Sequence, residues 1–148
     1  MDETLGQLAE KDYEVELKLI ISCAKGSKIK LLLGQNLKGE TDFITRHLSI
    51  PRTKKLDETL KEKVEKILLL EFLNDKKNSI QKMDFIRRNK GDLKLFIMDC
   101  YITVDNEIMK PGKKESFRSL EEITKSTERK SLAVLNTLVY FNENRKKL

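Results

Sequence analysis

The order of patterns along this chain predicts an α+β fold. Two apolar strand-like stretches at residues 15–23 and 28–34 stand close enough to form a hairpin. A strongly periodic helical stretch follows at residues 57–73, then two more strand-like runs. A late strand passing into a final helix closes the order, over residues 115–141. One domain is expected for 148 residues, with residues 1–12 as a lead helix or loose arm and residues 13–148 as the domain.

The first strand, VELKLIISC at residues 15–23, begins alternating and becomes continuously apolar, as a half-buried and then buried strand would. AKGS at residues 24–27 supplies a turn, with Gly26 available for positive φ, and KIKLLLG at residues 28–34 returns. Residues 35–47 are polar and carry Gly39, so they read as a loop or short strand approaching Pro51. In the stretch 57–73, Asp57 is the expected N-cap, and Leu60, Val64, Ile67, Leu68 and Glu71 follow helical spacing. Glu58, Glu62 and Glu65 fall on another stripe.

SIQKMDFIRR at residues 79–88 and LKLFIMDCYITV at residues 93–104 read as further strands joined by Asn89-Lys90-Gly91-Asp92. Beyond Pro111 and Gly112, ESFRSLEEI at residues 115–123 enters a helix, with Ser119 and Glu122 spaced as a capping box. Residues 127–141 form the last helix, with Leu132, Leu135, Leu138 and Val139 expected on its apolar face.

Charged residues make up 36% of the chain, which suits a solvated surface, and no apolar run approaches the roughly 18 residues of a membrane span. No signal-peptide pattern opens the chain, so a cytoplasmic setting is expected. Cys23 and Cys100 lie in apolar segments without Cys-x-x-Cys spacing and read as buried thiols. One histidine, His47, cannot build a zinc site and reads as a loop residue. The net charge of +6 comes from short basic runs scattered among acids. Gathered on one face they would attract phosphate; spread out they are solvated surface.

The stretch IPRTKKLDETLKEKVEKILLLEFL at residues 50–73 resembles the signature of Nudix hydrolases. That signature is a glycine-to-glutamate loop followed by Arg-Glu-apolar-x-Glu-Glu-x-Gly-apolar. Pro51, the Asp57-Glu58-Thr59 turn, Lys66 and Glu71 stand for surviving parts. Arg52-Thr53 replaces paired glycines, and two metal-binding glutamates fall on Ile67 and Leu70. Because the loop is one residue short, a second register anchored on Pro51 is open, with the terminal glutamates on Glu71 and Phe72. Neither register restores the signature.

The resemblance covers residues 13–141 and implies a Nudix-type α/β/α sandwich, with a mixed sheet between helix 57–73 and helix 127–141. It also implies Mg²⁺ if the chain is a hydrolase, since a leaving pyrophosphate needs its charge neutralised and its attacking water activated. Glu58, Glu71 and Glu115 are then the candidate catalytic carboxylates, with Glu58 and Glu71 as metal ligands. Arg46, Arg52, Phe43, Phe85 and Arg87 are candidates for holding phosphate or stacking on a base. The functions in view are nucleotide or RNA binding without efficient hydrolysis, a pyrophosphohydrolase with rearranged ligands, and a protein-interaction or homodimerisation module. For the last, Ile67, Leu69 and Leu70 would supply an apolar face if exposed.

Overall fold

Strand β1, Tyr13–Lys25, is the spine of the molecule. Its alternation has a direct structural consequence. Val15, Leu17, Leu19, Ile21 and Cys23 enter one apolar layer, while Ile20 enters the layer on the opposite side of the sheet. The computed structural model describes residues 12–25, 28–74, 79–89 and 95–146. Apart from Asp12, the lead segment expected at residues 1–12 lies outside them, as do Gly26, Ser27 and residues 90–92 of the two expected turns.

The expected hairpin is present: β2, Lys28–Gln35, pairs antiparallel with β1 in a register that sets Ser22 opposite Leu31. Of the loop or short strand expected at residues 35–47, the structure has both, with more strand than the polar sequence suggests. These residues contain β3, Thr41–Asp42, and most of β4, Ile44–Ile50, which pairs antiparallel with the first half of β1 from Tyr13↔Ile50 to Leu19↔Ile44. Tertiary pairing overrides a polar sequence here, because only alternate residues of β4 face the core. Strands β5, Ile80–Arg87, and β6, Leu95–Val104, pair antiparallel, and β6 runs parallel to β1. Strand β7, Ser116–Ser119, pairs with β2. Among the described residues the result is a seven-stranded mixed sheet.

Helix α1, Leu56–Ile67, covers the first layer with Leu60 and Val64. The continuous helix expected to residue 73 changes character after Ile67. Residues Leu68–Phe72 form a π-helical turn, in which the Leu73 amide donates to the Leu68 carbonyl at 2.7 Å. Asp57 is not the N-cap; Lys55 occupies that position without a side-chain cap, and Asp57 and Glu58 lie in the first turn. There they still favour the positive end of the helix dipole.

Helix α2, Leu120–Lys125, starts with the expected capping box: Ser119 Oγ accepts from the Glu122 amide at 3.1 Å. Replacing Ser119 with alanine should lower stability by about 1 kcal/mol in denaturant titrations, whereas an unchanged midpoint would deny the cap any weight. Helix α3, Leu132–Lys146, begins five residues later than expected, after an extended segment whose residue Lys130 bridges to Thr41. Its buried face also differs. Val134 and Leu138 pack under it beside Leu31, Leu33 and Phe43, while Leu132, Leu135 and Val139 are exposed. The apolar positions run nearly all round this helix, so periodicity alone does not choose the buried side.

Cys23 and Cys100 are buried and not joined in a disulfide, and burial pushes the Cys100 thiol up to about 12. Among the described residues no helix is long and apolar enough to cross a membrane.

Candidate functional site

The first half of β1 pairs with β4 and its second half with β2, so the sheet forks. An open cleft of about 1090 Å³ lies at that fork, between the end of β2, the start of β4, residues 114–118 and the start of α3. Its floor is a polar network around Asp42, which is only 8% exposed. The Asp42 carboxylate accepts from Ser131 Oγ at 2.6 Å, the Phe43 amide at 2.8 Å, Asn36 Nδ2 at 3.2 Å and Lys18 Nζ at 3.3 Å. Burial pushes Asp42 upward, but the Ser131 and Asn36 hydrogen bonds, the Lys18 charge and the Phe43 amide outweigh it and hold the carboxyl below its ordinary range.

Among the described residues, six Lys and Arg side chains line the cleft: Lys18, Lys38, Arg46, Arg88, Lys114 and Arg118. Three carboxylates, Glu40, Asp42 and Glu115, face them. Arg118 pairs with Glu128 at 2.8 Å and Arg88 lies 3.7 Å from Asp99. Burial raises Asp99 despite the charges of Arg88 and Lys18. A smaller recess of about 230 Å³, lined by Glu16, Lys18, Thr45, Arg88, Ile97, Met98 and Asp99, adjoins the cleft through shared residues.

The sequence-derived candidates divide between this cleft and other places. Phe43, Arg46 and Glu115 line it. Phe43 is buried and also packs under α3, and the Glu115 side chain lies against Gly34, where an added Cβ would stand 3.0 Å from Glu115 Cγ. Arg52 stacks over Tyr13 at 4.8 Å, away from the cleft lining, and its buried Nε has no hydrogen-bond partner among the described residues. Phe85 packs on the α1 side of the sheet, and Arg87 lies 4.1 Å over the Phe96 ring, with Nε donating to Asn89. Neither lines the cleft.

Glu58 is exposed in the first turn of α1, and Glu71 is in the π turn. At about 1.5 Å per residue, roughly 20 Å of helix separates them, too far to share one cation. Glu71 accepts instead from Arg46 Nη2 at 3.4 Å. Ile67 and Leu69 are half-buried and Leu70 is exposed, so the apolar face foreseen for α1 reduces to one residue. Among the described residues, no three His, Cys, Asp or Glu side chains come together in a way that would hold a metal ion.

Lys18, Asn36, Asp42, Arg88, Arg118 and Ser131 escaped sequence reasoning. One signal was available: Lys18 is a lone cation inside an apolar strand, on the face opposite Leu17 and Leu19. The others come together only through pairing between distant segments, as Asp42 and Ser131 do.

No protein-family model matches the chain, and no curated protein sequence matches it. Two solved structures are similar across nearly the whole length. The C-terminal domain of mouse MUTYH, solved in complex with human PCNA, has 14% identity and a TM-score of 0.54, with 91% of each chain covered. The NUDIX domain of Shewanella oneidensis NrtR, solved with ADP ribose, has 13% identity and a TM-score of 0.52, with 97% of each chain covered. At such identities the likeness speaks for architecture alone, and that architecture is the Nudix-type α+β sandwich with a mixed sheet.

Proposed function

We propose that this chain binds the phosphates of a nucleotide or RNA in the cleft at the fork of the sheet, without efficient hydrolysis. The observation that carries this is the gathering of Lys18, Lys38, Arg46, Arg88, Lys114 and Arg118 around one open cleft, with Arg46, Arg88 and Arg118 steadied by Glu71, Asp99 and Glu128 behind them. Arginine and lysine supply phosphate binding from side chains alone, through charge-assisted hydrogen bonds. The NrtR domain, whose structure holds ADP ribose, offers a precedent on the same fold. Hydrolysis asks for more, because magnesium needs several oxygen ligands, and Ile67 and Leu70 contribute none.

Calorimetry against ADP ribose, and fluorescence anisotropy with short RNA, test the reading. Binding should weaken as salt rises, and Arg118→Ala should raise Kd by about tenfold, the loss of one charge-assisted contact. Binding that ignores both salt and Arg118 would place the ligand elsewhere.

A second reading, a protein-interaction or dimerisation module, draws on α3. Its exposed Leu132, Leu135 and Val139 form an apolar stripe, and the MUTYH domain was solved with a protein partner. Failure to bind any nucleotide or RNA, together with a concentration-dependent dimer in sedimentation, would favour this reading over the first.

A further inference from the structure

Strand β5 ends one side of the sheet. Its inner edge pairs with β6, and among the described residues no strand pairs with its outer edge. The backbone decides which residues face outward there. The register sets Arg87 opposite Met98, so Arg88 stands opposite Ile97, and the Arg88 amide donates to the Ile97 carbonyl at 2.7 Å. Bonding between directly opposed residues alternates along an antiparallel ladder, so Lys82, Asp84 and Ile86 turn their backbone groups towards β6. Met83 and Phe85 turn theirs outward, as donors and acceptors open to another strand. Side chains alternate between the two faces of the sheet. Met83 and Phe85 pack on the α1 layer, while Lys82, Asp84 and Ile86 are exposed on the other face.

We propose that two copies of this chain associate through β5, edge to edge and antiparallel, about a two-fold axis at Met83. The charges select that register and that partner. Centring on Met83 opposes the outward backbone groups of the two Met83 residues. It also sets Lys82 opposite the partner's Asp84, and Asp84 opposite the partner's Lys82, at the closely spaced positions of the ladder. Centring on Lys82 or on Asp84 would set like charges face to face, and centring on Phe85 would set Lys82 against the partner's Arg88. The register shift between Ile80 and Lys82 ends the regular stretch, so few backbone bonds cross the axis and side chains decide the pairing. Lys82 and Asp84 already lie 3.5 Å apart and exposed within one chain. Doubled across the axis they form an alternating cluster with no net charge. Ile86, 53% exposed, offers apolar contact on the same face. No residue of β5 lines the cleft, so this association does not depend on the phosphate reading, and it uses a surface other than the α3 stripe.

Sedimentation equilibrium across a range of concentrations tests the proposal, with thermal melting of each variant to establish folding. The parent chain should show a reversible monomer–dimer equilibrium. Lys82→Glu and Asp84→Lys each set two like-charge pairs across the axis, and each should raise the dimer Kd by about tenfold or more. An equimolar mixture of the two pairs a strand bearing two acids with one bearing two bases. That mixture should recover a dimer of the parent's affinity, which a merely structural role for either residue would not produce. Leu135→Lys, on α3, should leave the dimer unchanged.

A parent chain that stays monomeric at the highest soluble concentration overturns the proposal. So does a dimer indifferent to both charge reversals, or a mixture of the two variants no tighter than either alone. A dimer lost in Leu135→Lys and kept in both β5 variants would overturn it in favour of association through α3.

Discussion

Asp42→Ala should cost about 3–5 kcal/mol of stability, the range for removing one partner of a buried charged network. At this chain length that corresponds to a fall of roughly 10 °C in Tm. Asp42 is 8% exposed and accepts from four donors: Lys18 on β1, Asn36 after β2, the amide of its neighbour Phe43, and Ser131 just before α3. Alanine removes the shared acceptor and leaves Lys18 as a poorly solvated charge beside it. Ser131 loses more than a hydrogen bond. Its Oγ donates to Asp42 and accepts from the Val134 amide at 3.2 Å, so Asp42 also fixes the start of α3.

The pH dependence has a definite sign. Asp42 is held below its ordinary value in the folded chain. Its contribution is therefore complete above the unfolded pKa of about 3.9, and is lost as pH falls through the folded value. Acid unfolding of Asp42→Asn should lack that component. A variant that melts within a couple of degrees of the parent would show that the network relaxes around the gap and that its weight is overstated.

Magnesium-stimulated turnover of nucleoside triphosphates, ADP-ribose, dinucleoside polyphosphates or capped RNA should be absent or at least about a thousandfold below that of an intact metal site, because a metal supplies several kcal/mol at the transition state and each 1.36 kcal/mol is about tenfold. The reasons are local. Ile67 packs against the α1 core layer, Leu70 points outward, and Glu71 is engaged by Arg46. Glu58 is a helix length away from Glu71, and Glu115 sits across the cleft wall beside Gly34. Rapid Mg²⁺-dependent product release that disappears in Glu58→Gln or Glu71→Gln would establish a hydrolase with rearranged ligands.

Element order was legible because it depends on local pattern. The alternation of residues 15–23 marks β1, and the Ser119–Glu122 spacing marks the start of α2. Strand β4 was legible only as one of two choices, because its residues alternate between the core and a polar face, so ITRHLSI reads as a loop or a short strand until β1 is placed beside it. The buried side of α3 was missed for the opposite reason: too many of its residues are apolar. Of the residues proposed to meet ligand, Phe43 and Arg46 reach the cleft because they flank the fork. Arg52, Phe85 and Arg87 suit a phosphate or a base by residue type, and type does not carry direction. The register ambiguity in the signature stretch amounts to one residue, and the π turn at Leu68–Phe72 accommodates one residue more than an α turn.

The cleft has no local existence. Asp42 and Ser131 are 89 positions apart, and the parallel seam of the sheet joins Glu14 to Leu95. Each hairpin can close early, but the cleft walls meet only after these distant segments have paired, at a large cost in chain entropy. An unfolded or half-assembled chain therefore offers a ligand none of this surface. Whatever binds at the fork adds its full mass-action free energy to the folded state, which makes occupancy and the persistence of the fold two readings of one equilibrium.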